Sequence, residues 1–291
     1  MAPTMLNFFS QLIAKLPLPI IHKLGKALGW LIHWCTPASA HIQRQNLTQS
    51  SLCADQARFK QVIHANIGET GKAILETLAI WQWPQEKALS YVKNCDNWHL
   101  VKDALAAGKG LIFITPHLGC FEITSIYYAS KHPITVLFRP PKKSWLSALI
   151  DSGRSKGLVK LAPASMQGVR ELMQALKKGE AVGILPDQIP AAGEGEWADF
   201  FGKPAYTMTL ASKLAEKTGA TVIMAYGERL ANGEGYEIHL TKLDSIATPA
   251  LLNQAIERQI AQKPEQYLWR YNRYKARRHA VSKANSPDTA I

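Results

Sequence analysis

The sequence predicts an α/β fold: a mixed, largely parallel central sheet flanked by helices and preceded by an N-terminal amphipathic or membrane helix. Three observations carry that expectation. Short apolar runs at residues 111–115, 134–138 and 181–185 have the length of buried strands. Between them lie stretches with helical apolar spacing, the alternation that builds parallel sheets. Near the end, residues 221–230 and 236–243 flank Asn232-Gly233-Glu234-Gly235, a hairpin signal that adds an antiparallel pair.

The elements follow in order. Residues 1–40 are read as a membrane-anchoring helical segment, 41–279 as the main domain and 280–291 as a disordered tail. The stretch from Met5 to Cys35 is apolar but broken by Pro17, Pro19, His22, Lys23 and Lys26. On a helix from Ile20, the positions His22, Lys26, Gly29 and His33 share one face. Ile20, Ile21, Leu24, Leu28, Leu31 and Ile32 cover the other, and Trp30 and Trp34 suit a bilayer interface. A spanning helix needs about 18–20 uncharged apolar residues in a row, and no such run exists. There is also no cleavage site after a basic start. An interfacial helix is therefore preferred over a spanning one or ordinary core packing.

Residues 51–83 read as a helix, with Val62, Ile63, Ile67, Ile74, Leu75 and Leu78 mostly at helical offsets and Pro84 as the stop. A short strand and a helix are expected within 91–105. The strand at 111–115 leads to a helix at 119–130, and the strand at 134–138 to one at 144–155. A further strand is expected at 158–161. Ser165 then caps a helix closed by Gly179. Residues 189–206, rich in proline and glycine, read as a long loop. Helices are expected at 207–218, ended by Gly219, and at 249–262, followed by Pro264.

The 291 residues suffice for one large α/β domain or two small ones. With 47% hydrophobic and 19% charged residues, a wholly disordered chain is excluded. Lys and Arg number 34 against 22 for Asp and Glu, a net +12 that suits an acidic lipid surface, a phosphorylated substrate or a nucleic acid. Neither a zinc-finger spacing nor an aromatic RNA-binding motif is present, so no nucleic-acid partner is expected. Cys35, Cys53, Cys95 and Cys120 form no C-x-x-C pair. A reducing environment facing the cytoplasm, with no disulfide framework, no metal and no cofactor, is expected.

In open α/β sheets the ligand site lies beyond the carboxyl ends of the strands. Here those ends carry Pro116-His117, Arg139-Pro140 and Pro186-Asp187-Gln188. Imidazole is the usual general base at neutral pH. Glu122, five positions after His117, is expected to fold back over one helical turn and orient the ring, as the acid does in a serine-protease triad. The pair contains no nucleophile, which fits a hydroxyl brought by a substrate. By itself a His and a Glu at this spacing is a weak pattern; its place among polar strand ends makes it a candidate site.

Thr115-Pro116-His117-Leu118-Gly119-Cys120-Phe121-Glu122 resembles the H-x4-D/E signature of the glycerolipid acyltransferase superfamily. Within it, the chain is most similar to the late acyltransferases of lipid A biosynthesis, the lauroyl and myristoyl transferases. A second block resembles Val136-Leu137-Phe138-Arg139-Pro140-Pro141. A third resembles Gly183-Ile184-Leu185-Pro186-Asp187-Gln188, followed by Asp199-Phe200-Phe201-Gly202-Lys203-Pro204. Pro264-Glu265-Gln266-Tyr267-Leu268-Trp269 is similar to a segment that the family continues with His-Arg-Arg-Phe-Lys. This chain instead reads Arg270-Tyr271-Asn272-Arg273-Tyr274-Lys275, without the histidine. The blocks run in the family's order from about Gly110 to Lys275.

The resemblance implies direct acyl transfer, with no covalent acyl-enzyme, from an acyl carrier protein thioester to a hydroxyl on an acyl chain of a lipid A precursor. The site implied is the cytoplasmic face of the bacterial inner membrane, an anionic membrane surface. A related enzyme acting on lysophospholipid or another glycolipid is the alternative. Arg139 is expected to hold a phosphate or a developing oxyanion. Asp187 is expected to orient Arg139 or contact the acceptor sugar, with a structural turn as the competing reading. Gln188 is expected to hydrogen-bond nearby. Arg154 and Arg170 are substrate-binding candidates, against a solvated face. Gly119 is expected to let substrate approach closely, and Cys120 is read as a small buried side chain before a nucleophile. Phe200 and Phe201 are assigned to an acyl groove, to lipid or to the core. Arg270, Arg273, Lys275, Arg277 and Arg278 form a basic cluster for acidic headgroups or the carrier protein.

Overall fold

A computed structural model describes residues 2–141 and 144–275. The elements run α1 (Ala2–Ala14), α2 (Leu18–Cys35), α3 (Pro37–Gln49), α4 (Gln56–Gln82), α5 (Gln85–Ser90), β1 (Val92–Cys95), α6 (His99–Ala106), β2 (Leu111–Ile114) and α7 (Phe121–Ala129). They continue with β3 (Ile134–Phe138), α8 (Ser144–Arg154), β4 (Val159–Pro163), α9 (Met166–Lys177), β5 (Ala181–Ile184), β6 (Gly195–Phe200), β7 (Lys203–Met208), α10 (Leu210–Thr218), β8 (Thr221–Arg229), β9 (Tyr236–Lys242) and α11 (Pro249–Gln262).

Seven strands form one sheet in the order β1-β9-β8-β2-β5-β3-β4, parallel except for the β8–β9 hairpin. The expected mixed, largely parallel sheet is thus present. Every residue of β2 and β5 is buried, because helices cover both faces. Ile112, Ile114, Val182 and Ile184 face a core closed by α9, α10 and α11. Leu111, Phe113, Ala181 and Ala225 face a second core closed by α4, α6 and α7. Strand β2 lies between β8 and β5, so its carboxyl end has a neighbour on each side.

The expected loop at 189–206 is a correction. Residues 195–208 form a separate two-stranded hairpin, β6–β7, turned by Phe201 at φ 50° and Gly202 at φ 69°. Two positive φ values in a two-residue turn match the twist of the strands they join. Pro204 and the charged residues hid the pattern, since neither belongs to an alternating apolar strand.

No helix among the described residues is long and apolar enough to cross a membrane, so the membrane-helix reading of the N-terminus lacks support. Helix α2 departs from ordinary amphipathic packing in leaving large apolar side chains outside. Its buried side is Leu18, Ile21, His22, Gly25 and Gly29, while Ile20, Leu24, Leu31 and Trp34 are exposed. Glycine explains this. A Cβ on Gly71 of α4 would lie 2.0 Å from the Gly25 carbonyl, so α2 and α4 touch backbone to backbone. The expected tail 280–291 and the basic residues Arg277 and Arg278 lie outside the described residues.

Candidate active site

The chain leaves β2 through Thr115 and Pro116, bends at His117, Leu118 and Gly119, and enters α7 at Phe121. Asp187 stands in the same place after β5, the parallel neighbour of β2. Its Oδ2 accepts the His117 backbone N–H at 2.9 Å and its Oδ1 meets His117 Nδ1 at 2.8 Å. A carboxylate only accepts, so Nδ1 carries the proton, and in the neutral ring it is Nε2 that bears the lone pair. The Gln188 side-chain nitrogen lies 3.3 Å from Nε2, and the Phe121 ring 5.0 Å from the imidazole.

Asp187 is only 2% exposed. Burial alone would push its carboxyl up; the charge of His117 and the hydrogen bonds from that residue outweigh this and hold it below the usual carboxylate range. This pair replaces the expected one. Glu122 is buried and bonded instead to Arg154, whose Nε lies 2.9 Å and Nη2 2.5 Å from Oε1. Glu122 sits in the first turn of α7 and points toward α8, while Asp187 reaches the ring from the adjacent strand end. The Arg154 guanidinium also lies 5.7 Å over Trp81.

A cavity of about 550 Å³ opens beside His117 and straddles the carboxyl edge of the sheet. On the α7 face it runs between Phe113, Ile134, Val136, Ala225, Ile238 and Leu240 to Trp98 and Cys95. On the opposite face it is bounded by Leu137, Val169, Met208 and Leu210, with Lys213. His117, Glu122, Arg139, Arg154 and Gln188 all line it. Arg139 is exposed at the end of β3 and has no acidic partner among the described residues.

Other expected residues fall elsewhere. Arg170 is exposed on α9 and is not in the cavity wall. Gly119 is not in the cavity wall: with φ +60°, a Cβ there would lie 2.1 Å from the Gly227 carbonyl of β8. Asp187 contacts His117, not Arg139. Cys120 is buried, and burial pushes its thiol well up, as fits a packed side chain. Phe200 belongs to the core, while Trp197 is partly exposed and lies against Tyr206.

The basic cluster also needs correcting. Arg273 is buried and donates to the Tyr206 carbonyl at 2.7 Å, which makes it a structural anchor. Arg270 is bonded to Thr36 and Ser39. The deep apolar arm of the cavity was not expected from sequence. Its only signals were small residues within strands, Gly183 and Ala225, where a larger side chain would fill the space.

A parallel sheet that presents a carboxylate-held histidine to a largely apolar cavity is the framework of an α/β acyltransferase. Residues 4–276 match the family described as bacterial lipid A biosynthesis acyltransferase, and the chain belongs to that family. It is 27% identical over 282 residues to a lipid A biosynthesis lauroyltransferase of Escherichia coli (strain K12), covering 93% of this chain and 90% of the relative. A lipid A biosynthesis palmitoleoyltransferase of the same organism is 27% identical over 275 residues, 90% of this chain and 87% of the relative. A phosphatidylinositol mannoside acyltransferase of Mycobacterium tuberculosis (strain CDC 1551 / Oshkosh) is 25% identical over 163 residues, 55% of this chain and 51% of the relative. The protein is an acyltransferase, as the ordered motif blocks implied.

Proposed function

We propose that the protein moves a fatty acyl chain from an acyl carrier protein thioester to a hydroxyl of a lipid A precursor, with His117 as general base. The observation that carries this reading is the His117–Asp187 pair, whose Nε2, met by Gln188 at 3.3 Å, borders an alkyl-lined cavity. The donor chain lies in the arm beneath α7. His117 Nε2 takes the proton of the acceptor hydroxyl as its oxygen attacks the thioester carbon. The carbonyl becomes an oxyanion within reach of Arg139. Collapse breaks the C–S bond, and the imidazolium returns its proton to the leaving thiolate, giving ester and free thiol. Asp187 stabilises the imidazolium, the role first assigned to Glu122. Glu122 acts through Arg154, holding that guanidinium at the cavity wall for an anionic group of the substrate.

An anionic bilayer surface, at the cytoplasmic face of the bacterial inner membrane, completes the proposal. Phe8 and Leu12 of α1 and Leu24, Leu31 and Trp34 of α2 are exposed, together with Lys15, Lys23 and Lys26. The first acidic residue of the chain is Asp55. An apolar row edged only by positive charge suits interfacial docking. Helix α1 also touches α8, which carries Arg154, so the docked face lies one helix from the cavity.

The reading is tested with purified protein, an acyl carrier protein thioester and a lipid A precursor, with product mass as the readout. One added acyl chain supports it; release of free fatty acid alone, with the acceptor unchanged, sinks it. A different glycolipid acceptor is the second reading, favoured by the shorter match to the mannoside acyltransferase. Intact lipid A with an altered glycolipid pool in a deletion strain would select that one.

A further inference from the structure

Behind the His117 bend lies a cluster of buried charges that the transfer reaction does not use. Arg229, the last residue of β8, is 4% exposed and divides its guanidinium among three acceptors. Nη2 donates to the Gly119 carbonyl at 2.6 Å, Nε to Glu76 at 2.6 Å and Nη1 to Glu69 at 3.2 Å. Glu76 also accepts from His22 Nε2 at 3.0 Å and from the Tyr236 hydroxyl at 3.1 Å. Elements α2, α4, β8 and β9 thus converge on one carboxylate and, through Arg229, on the bend.

The bend itself has no slack on that side. Gly119 N–H donates to the Gln266 carbonyl at 3.1 Å and Cys120 N–H to the Gly227 carbonyl at 2.7 Å. Gln266 grips the Arg229 backbone at both its N–H and its carbonyl, each at 2.9 Å. Asp187 holds His117 from the β5 side; Arg229 holds Gly119 from the β8 side. The ring that must meet a hydroxyl at hydrogen-bond distance is therefore clamped by both strands flanking β2.

We propose that Arg229 is a positioning residue for catalysis: through the Gly119 carbonyl it fixes where His117 presents Nε2, and Glu76, seated by His22 of α2, fixes where Arg229 points. The inference rests on the acyl-transfer reading but not on which carrier or acceptor is used. A planar guanidinium serves three acceptors in fixed directions, whereas an ammonium is a single point charge. Arg229→Lys thus keeps the buried charge balance and loses the geometry.

The experiment compares wild type, Arg229→Lys and Glu76→Gln in the transfer assay, with Tm and the folded fraction measured alongside. For Arg229→Lys we expect a folded protein, KM for donor and acceptor within about twofold, and kcat per folded molecule reduced at least about tenfold, since a small misplacement of a reacting group is costly. Arg229 does not line the cavity, which is why KM is spared. Should the lysine variant not fold, the isosteric Glu76→Gln is expected to show the same loss confined to kcat. A kcat close to wild type in the folded variant, or a loss carried by KM, overturns the proposal and leaves a purely structural ion cluster. Absence of transfer by wild type would instead overturn the acyl-transfer reading, so the two failures are distinct.

Discussion

At His117 the two ring nitrogens have separate tasks, and Asp187 decides which is which. With a carboxylate at Nδ1, that nitrogen must carry the proton, which leaves Nε2 for the base role in the proposed mechanism. Asp187→Asn offers an amide that can donate to Nδ1 and so favours the wrong tautomer; kcat should fall by about 10³- to 10⁴-fold with the fold intact. His117→Ala should fall at least as far. Glu122→Gln and Arg154→Ala should each cost less and be non-additive when combined, because they break one ion pair. Steady-state kinetics of the four variants and the double variant checks this. Asp187 also predicts a stability effect. Its folded pKa lies below its unfolded one, so its contribution is complete above the unfolded value of about 3.9 and is lost as pH falls through the folded value. The Tm gap between wild type and Asp187→Asn should therefore be constant at neutral pH and narrow below about pH 4; a gap unchanged down to unfolding would count against it. Both His117 and Asp187 were legible in the sequence as site residues, but their pairing was not. Glu122 is a neighbour by chain spacing, but Asp187 is brought in by strand order, which sequence spacing does not encode.

Among the elements, β8 and α7 bound the deep arm of the cavity, and the arm exists because Ala225 and Gly183 are small. Ala225→Leu places bulk beside Ile238 and Leu240. It should shift donor preference toward shorter acyl chains, read from a series of thioesters, at an overpacking cost of about 1–3 kcal/mol. An unchanged chain-length profile would mean that the donor lies in the other arm. The α2–α4 contact makes a second test. Gly71→Ala puts a Cβ against the Gly25 carbonyl, with backbone on both sides and nowhere to move. A destabilisation of about 1–3 kcal/mol is expected in denaturant unfolding. Most elements were legible because their periodicity and caps were strong: Ser165 does accept from the Gly168 N–H, and Thr248 caps α11. The β6–β7 hairpin was not, since its register rests on two residues with positive φ and not on apolar alternation. The two faces read for α2 are divided differently in the structure, since Ile21 is buried beside His22 while Lys26 is exposed; glycine contact with α4, a partner that periodicity cannot identify, sets which side is inside.

For the whole molecule, the proposed substrates live in a bilayer, while no helix among the described residues is long and apolar enough to cross one. Apolar side chains of α1 and α2 stand outward, while the inward side of α2 holds Leu18, Ile21, His22, Gly25 and Gly29. No acidic residue precedes Asp55, so nothing in that segment repels an anionic surface. Binding should then have two separable parts, an apolar one set by Phe8, Leu12, Leu31 and Trp34 and an electrostatic one set by the lysines. The protein should sediment with vesicles containing anionic lipid and much less with neutral ones. Raising salt from low to about 0.5 M should weaken but not abolish that binding, because screening removes only the charge component. The double variant Phe8→Asp/Leu31→Asp should lose sedimentation, since both side chains stand outside the core and the change leaves the fold alone. Activity on detergent-dispersed substrate should survive in that variant, whereas activity on substrate embedded in vesicles should drop with binding. If the variant sedimented like wild type, the docking face would have to lie elsewhere on the molecule, and the outward apolar row would need a protein partner to cover it.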